Sequence, residues 1–152
     1  MQQFFADMLS RIEDLHRYYA QYLDGLTTAQ LDWKPGDDMN SLSVLAVHVT
    51  QSERYWIGVA LDDVIQRDRP AEFEVHGYTV DALLQRFANN RAYYATAFTS
   101  ADTSTFDEVV QSPLFPDRPF TCTRGWALLH ALDHTAEHLG HVGITRQLLD
   151  AQ

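Results

Sequence analysis

Four histidines lie close together near the C-terminal end of the chain, with the spacing of one face of a helix. They are His130, His134, His138 and His141. Two histidines four positions apart on a helix place their rings one turn apart, so both can reach the same metal ion. The pattern predicts a divalent-metal site on the last helix and leaves open which of the four rings bind.

The same face carries Trp126, Ile144 and Leu148, so we expect it to point toward the core. A buried polar group without a partner costs about 1–3 kcal/mol, and several buried imidazoles therefore need partners. One divalent cation satisfies two or three rings at once. The alternative is a metal-free bundle in which the histidines hydrogen-bond one another, since an isolated pair of histidines four residues apart is common.

A third ligand must come from another helix, and His48 is the natural candidate. It lies in the middle of a predicted helix, with Val44 and Leu45 one turn before it. Taken alone, an inward histidine is usually a core residue hydrogen-bonded to a neighbour. Three protein ligands leave a position open for water or substrate, which is the pattern of a catalytic metal site. His16 and His76 are predicted to be ordinary surface residues.

Residues 134–138, HTAEH, also match the H-x-x-E-H pattern of the inverted zinc proteases, which would make Glu137 a general base. Those enzymes have a larger α/β architecture, and their third metal ligand is an acidic residue far downstream of the motif. Only fourteen residues follow His138, so we reject that interpretation. Glu137 and His141 remain candidate catalytic residues, as a base or as groups that orient a ligand.

The elements that must position these residues are four helices. Their apolar residues recur at spacings of three and four. The predicted helices run from about Phe4 to Leu26, from an N-cap at Asn40 or Ser41 to about Asp62, from a cap at Thr79 to about Phe98, and from a cap at Thr123 to about Leu149. We expect one all-α domain over residues 1–152, a four-helix bundle with a long loop before the last helix.

The segments that connect the four predicted helices are predicted to be irregular. Residues 26–41 are turn-rich, and residues 66–78 form a charged loop. Residues 109–123 could hold a short strand pair, but Pro113, Pro116 and Pro119 argue against a regular one.

Charge and composition exclude several classes of partner. The chain has 21 acidic and 11 basic residues, a net charge of −10. Phosphate backbones and anionic membranes repel such a surface, so we expect no binding to nucleic acid or membranes. The N-terminus lacks the pattern of a signal peptide, and the single Cys122 cannot form an internal disulfide. We therefore expect a cytoplasmic protein, and no motif around Cys122 marks it as a nucleophile.

Two segments resemble the DinB/YfiT-like metal-binding superfamily. LTTAQLDWKPGDDMNSLSVLAVHVTQSERYW, residues 26–56, is similar to its Leu-x-Trp-x-Pro turn, followed by a Ser-capped helix with an inward histidine. HTAEHLGHVGITRQLL, residues 134–149, is similar to its last-helix signature H-x-x-x-H-x-G-Q. His134, His138 and Gly140 match directly, while His141 stands where many members have Gln.

The resemblance implies a DinB/YfiT-like four-helix bundle whose metal ligands are His48, His134 and His138. It implies zinc, nickel or a similar ion, and His130 and His141 then become neighbours or pocket walls. It also implies a homodimer. A second face of the last helix carries small or apolar residues for packing within the bundle or against a second copy: Leu132, Ala136, Leu139, Gly140 and Gly143.

Known members of the superfamily include thiol-dependent transferases and isomerases that use mycothiol, bacillithiol or glutathione. The first functional hypothesis is therefore an enzyme, a transferase or hydrolase, in which the metal activates a low-molecular-weight thiol or a water against a small-molecule substrate. The second is a non-catalytic module that binds a metal or small ligand, with a role in stability or stress. No residues are assigned to binding the thiol.

Overall fold

The computed structural model describes residues 1–113 and 120–152, and within them the fold is predominantly helical. The elements are α1 (Gln3–Leu23), α2 (Thr28–Asp32), α3 (Leu42–Ala60), α4 (Arg69–Glu72), α5 (Val80–Ala97), a 3₁₀ turn (Thr103–Thr105), β1 (Val109–Ser112), β2 (Phe120–Thr123) and α6 (Arg124–Asp150). The predicted all-α four-helix bundle is confirmed, with α1, α3, α5 and α6 as its long helices. Within the described ranges no helix combines the length and apolar character needed to cross a bilayer.

Three of the four long helices, α3, α5 and α6, begin where their capping residues predict. The side chains of Ser41, Thr79 and Thr123 each accept a hydrogen bond from the backbone N–H three residues later. Such caps satisfy a backbone donor that the first turn leaves unpaired. Ser41, and not Asn40, is the cap of α3.

Helix α3 lies at the centre of the bundle. All its residues are buried except Gln51 and Arg54. A helix that is buried nearly all round must bury its polar side chains too, so His48 is placed in the interior, where only 4% of its surface is exposed. Its most extensive packing is against α6.

The expectation that residues 109–123 hold no regular strand pair is wrong. β1 and β2 pair antiparallel, with Val109 opposite Thr123 and Ser112 opposite Phe120. Pro113 directly follows β1, while Pro116 and Pro119 belong to residues 114–119, outside the described residues. None of the paired positions, 109–112 and 120–123, is a proline, so each can keep its backbone N–H donor. Cys122 lies in β2 and not in a loop, and burial raises the pKa of its thiol.

Two stretches predicted as turn or loop contain short helices. In α2, Thr27 and Gln30 form a reciprocal capping box. In α4, the Asp68 carboxylate caps the first turn, and Pro70 occupies one of the first helical positions. Capping residues therefore start a short helix in each stretch, although neither stretch has a long apolar period.

The orientation predicted for α6 is also wrong in part. Trp126, Ile144 and Leu148 were expected inside and are 41%, 55% and 43% exposed. The buried residues of α6 are mostly small: Ala127, Leu128, Ala131, Thr135, Val142, Gly143 and Thr145. Because small side chains let α6 approach its neighbours closely, its core face is rotated away from the large apolar residues, and the histidines lie at the margin of that face.

His16 was expected at the surface and is instead 2% exposed. Its Nε2 lies 3.0 Å from each carboxylate oxygen of Glu53 on α3, and this partner allows the imidazole to be buried. His76 is exposed, as expected.

Candidate metal centre

Three histidine side chains from two helices meet at the interface between α3 and α6. The Nε2 atom of His134 lies 3.3 Å from Nε2 of His48 and 3.2 Å from Nε2 of His138. One ring nitrogen from each of the three lies within 4.8 Å of the other two, an arrangement able to hold a metal ion. The structure thus brings together the three residues that the family resemblance implied as ligands.

A buried carboxylate contacts the Nδ1 side of the His48 ring, opposite the nitrogen that faces His134. His48 Nδ1 lies 2.8 Å from Oε2 of Glu72, and both side chains are at least 95% buried. The Arg67 guanidinium binds both carboxylate oxygens of Glu72, through Nε at 2.6 Å and Nη2 at 2.8 Å. Burial alone would raise the pKa of Glu72, but hydrogen bonds from Arg67 and His48 lower it below its usual value. Glu72 is therefore a carboxylate that accepts the Nδ1–H of His48.

Sequence reasoning missed Glu72 and Arg67, because both lie in the stretch taken as a charged loop. The signal that could have found Glu72 is local. Asp68 followed by Pro70 is a helix start, and a helix there gives the charged residues fixed directions.

The remaining histidines of α6 flank the three ligand candidates. His141 is exposed, and its Nδ1 lies 3.0 Å from Nδ1 of His138. His130 stacks on Trp126 with ring centroids 4.8 Å apart, and its own ring is 5.5 Å from that of His134. Glu137 is exposed, and its charge counters part of the burial effect that lowers the pKa of His130. Among the described residues, Glu137 makes no hydrogen bond or ion pair with the three histidines.

Neutral rings cannot satisfy all the contacts among the three histidines. Because His48 donates its Nδ1–H to Glu72, its Nε2 carries a lone pair directed at His134. The Nε2 of His134 faces two nitrogens and can carry at most one proton, so one contact must lack a proper hydrogen bond. The His134 Nδ1 is buried and has no hydrogen-bond partner within the described part of the chain. A divalent cation that accepts one lone pair from each ring fits this donor set.

A family model for mycothiol-S-transferase matches residues 8–151. The chain belongs to the mycothiol-S-transferase family. Together with its fold, this places it in the DinB/YfiT-like superfamily that the sequence motifs resemble.

Solved structures share the fold of this mycothiol-S-transferase family member. A conserved protein from Enterococcus faecalis is 17% identical, with a TM-score of 0.74 over 95% of this chain and 96% of that one. YfiT from Bacillus subtilis, described as a probable metal-dependent hydrolase with an unusual four-helix bundle topology, is 15% identical, with a TM-score of 0.74 over 97% and 88%. At these identities the likeness shows the fold alone. No curated protein sequence matches the chain.

Electrostatics in this family member favour neutral imidazoles at the site. Burial, aided by the neighbouring histidines, lowers the pKa of His134 from 6.5 to about 3 and that of His138 from 6.5 to about 4. Both rings therefore keep a lone pair at neutral pH, the form that binds a metal ion.

Replacing Glu72 by Gln should destabilise the metal-free protein. The Arg67 guanidinium would remain buried beside a neutral amide, so we expect the free energy of unfolding in urea to fall by about 3 kcal/mol or more. Asp150→Asn is the matched control, because it breaks a pair with Arg146 that is partly exposed and should cost about 0.5 kcal/mol or less. A loss no larger than in the control would contradict the account of a buried pair.

The metal-free protein should also lose stability as the pH falls from 7 to 4. Below about pH 6.5 the unfolded chain protonates its histidines, whereas the folded chain resists protonation of His134 and His138 until about pH 4 to 3. The unfolded state therefore binds more protons in this window, and the free energy of unfolding decreases. Urea unfolding at several pH values should show a flatter profile for His134→Asn, His138→Asn than for the parent; parallel profiles would contradict the assignment.

Proposed function

We propose that this protein binds one divalent metal ion, zinc or nickel, through His48, His134 and His138, and that it is a thiol-dependent S-transferase acting on a small electrophile. The observation that carries the proposal is the convergence of three ring nitrogens from α3 and α6 in a member of the mycothiol-S-transferase family. Neutral imidazoles bind zinc, nickel, copper and iron alike, so the choice of zinc or nickel is part of the proposal.

A divalent ion held by the three rings supplies a Lewis acid that lowers the pKa of a low-molecular-weight thiol into the neutral range. Neighbouring residues of the chain hold two of these rings in the tautomer that can bind a metal ion. Glu72 fixes the tautomer of His48, and His141 is placed to accept the Nδ1–H of His138, which leaves the Nε2 of each ring free to bind. We therefore assign His141 the role of orienting a ligand.

The transfer balances without a redox partner. The thiol sulfur forms a bond to the electrophilic carbon, while the bond from that carbon to the leaving group breaks and the leaving group keeps the electron pair. The thiol proton is released to solvent, and the exposed Glu137 carboxylate is the candidate to relay it. Cys122 is not part of this scheme, because burial raises the pKa of its thiol and disfavours the thiolate.

An aromatic wall beside the three histidines supports a small organic substrate. The exposed ring of Trp126 contacts His130, Phe120 and Trp56, with centroid distances of 4.8, 5.1 and 5.4 Å. His130 joins this wall to His134. Sites for small molecules combine such apolar walls with a few polar groups that fix orientation.

The proposal includes a cytoplasmic homodimer. Ala136 and Gly140 of the second α6 face are exposed and accessible to another copy, whereas Gly143 packs against Tyr22 within the bundle.

The thiol-transfer function predicts metal-dependent conjugation. The purified protein loaded with Zn²⁺ or Ni²⁺ should join mycothiol to a small electrophile such as 1-chloro-2,4-dinitrobenzene faster than the uncatalysed reaction does, with the product identified by mass spectrometry. Bacillithiol and glutathione, tested in parallel, identify the thiol. His138→Ala should lose the catalysed rate, because two rings bind the ion less tightly than three.

His76→Ala is the matched control, since it removes an exposed histidine far in sequence from α6 and should keep the parent rate. A parent protein that holds metal but accelerates conjugation with none of the three thiols would contradict the transferase and favour the non-catalytic metal-binding module.

A further inference from the structure

A second group of buried polar side chains lies in the core, apart from the three histidines that face one another. We call it the Glu53 cluster, after the carboxylate at its centre, which is 1% exposed. His16 of α1 places its Nε2 3.0 Å from both oxygens of Glu53. Asn90 of α5 donates to Oε1 at 3.3 Å, and Thr135 of α6 donates to Oε2 at 3.1 Å. The cluster therefore joins all four long helices.

Stability alone does not account for this cluster. Removing a carboxylate and an imidazole from water is costly, and apolar residues of similar size at such positions usually leave a protein equally stable or more stable. Polar groups in a core can instead select one arrangement of helices among several that pack equally well.

The Glu53 cluster contacts α6 at Thr135, the residue next to the candidate metal ligand His134. Thr135 directly follows His134, and its side chain is bound to α3 through Glu53. Its backbone carbonyl accepts a hydrogen bond from the hydroxyl of Tyr19 on α1 at 2.8 Å. One residue along a helix corresponds to a rotation of about 100°, so fixing Thr135 from two helices also fixes the direction of His134.

The same two helices carry the ligands. His48 and Glu53 are on α3, and His134 and Thr135 are on α6. A rotation or a shift of α6 that separated Thr135 from Glu53 would also move the Nε2 of His134 away from that of His48, now 3.3 Å distant. The exposed positions of Trp126 and Ile144 show that apolar periodicity does not set this rotation.

We propose that Glu53, His16 and Thr135 are positioning residues for the metal site, which set the rotation of α6 so that His134 and His138 converge with His48. This inference rests on the metal binding proposed above. It requires the polar contacts themselves, and not only the volume that these side chains fill.

The first test replaces the central pair by apolar residues in the full chain, His16→Leu with Glu53→Leu. Asn90 keeps its bond to the carbonyl of Thr50, and Thr135 keeps its bond to the carbonyl of Ala131. We expect the melting temperature of the metal-free variant to equal or exceed that of the parent. Its Zn²⁺ affinity, measured by competition with a chelating dye, should be at least about tenfold weaker. The visible spectrum of the Co²⁺-loaded protein should change with the ligand geometry.

A second pair of variants isolates the hydroxyl of Thr135. This group has one proton, shared between Glu53 and the carbonyl of Ala131. Thr135→Val keeps the shape and removes the bond, so it should weaken Zn²⁺ binding and alter the Co²⁺ spectrum, while Thr135→Ser should restore both. This pair decides the question if the double variant does not fold.

Parent-like Zn²⁺ affinity and Co²⁺ spectra in the folded double variant, or in Thr135→Val, would overturn the positioning role even if the melting temperature changed. A parent protein that binds neither ion would overturn the proposed metal site, and this inference with it. The two failures are therefore distinguishable from the parent alone.

Discussion

Three imidazoles converge across the α3–α6 interface, and this crowding of ring nitrogens needs support from the contacts around it. Their Nε2 atoms meet at 3.2 and 3.3 Å, and neutral rings cannot satisfy both contacts by hydrogen bonding. In the metal-free chain this arrangement costs free energy, which packing and hydrogen bonds elsewhere must offset. A cation removes the conflict, because each lone pair then has a partner.

Two sets of buried contacts hold this arrangement, one at His48 and one at Thr135, the residue after His134. Glu72 of α4 and Arg67 fix the ring of His48, through a carboxylate whose two oxygens both accept hydrogen bonds. The Glu53 cluster fixes α6 from the core side, through Thr135. His48 and Glu53 both lie on α3, so the two sets of contacts meet on one buried helix.

The long helices and the histidine cluster on α6 could be predicted from the sequence, because their signals are local or periodic. Helical spacing and the caps Ser41, Thr79 and Thr123 located the long helices. Spacing alone indicated a metal site on α6, and the family resemblance then distinguished His134 and His138 from His130 and His141.

The contacts that could not be predicted depend on partners distant in the chain. His16 resembles a surface residue until Glu53 of another helix is placed beside it. Asp68 and Pro70 signal the short helix that carries Glu72, but its contact with His48, 24 residues earlier in the chain, depends on the tertiary structure. The exposure of Trp126 has a similar origin, because the small residues of α6, and not its large ones, are buried against the other helices.

The metal content of the purified protein, measured by inductively coupled plasma mass spectrometry beside a His48→Ala, His138→Ala variant, tests directly whether the three histidines hold an ion. We expect close to one zinc or nickel ion per chain in the parent, and loss of this ion in the variant while the helical circular-dichroism spectrum is retained. A parent that is purified without metal and takes up neither Zn²⁺ nor Ni²⁺ on titration would contradict this expectation.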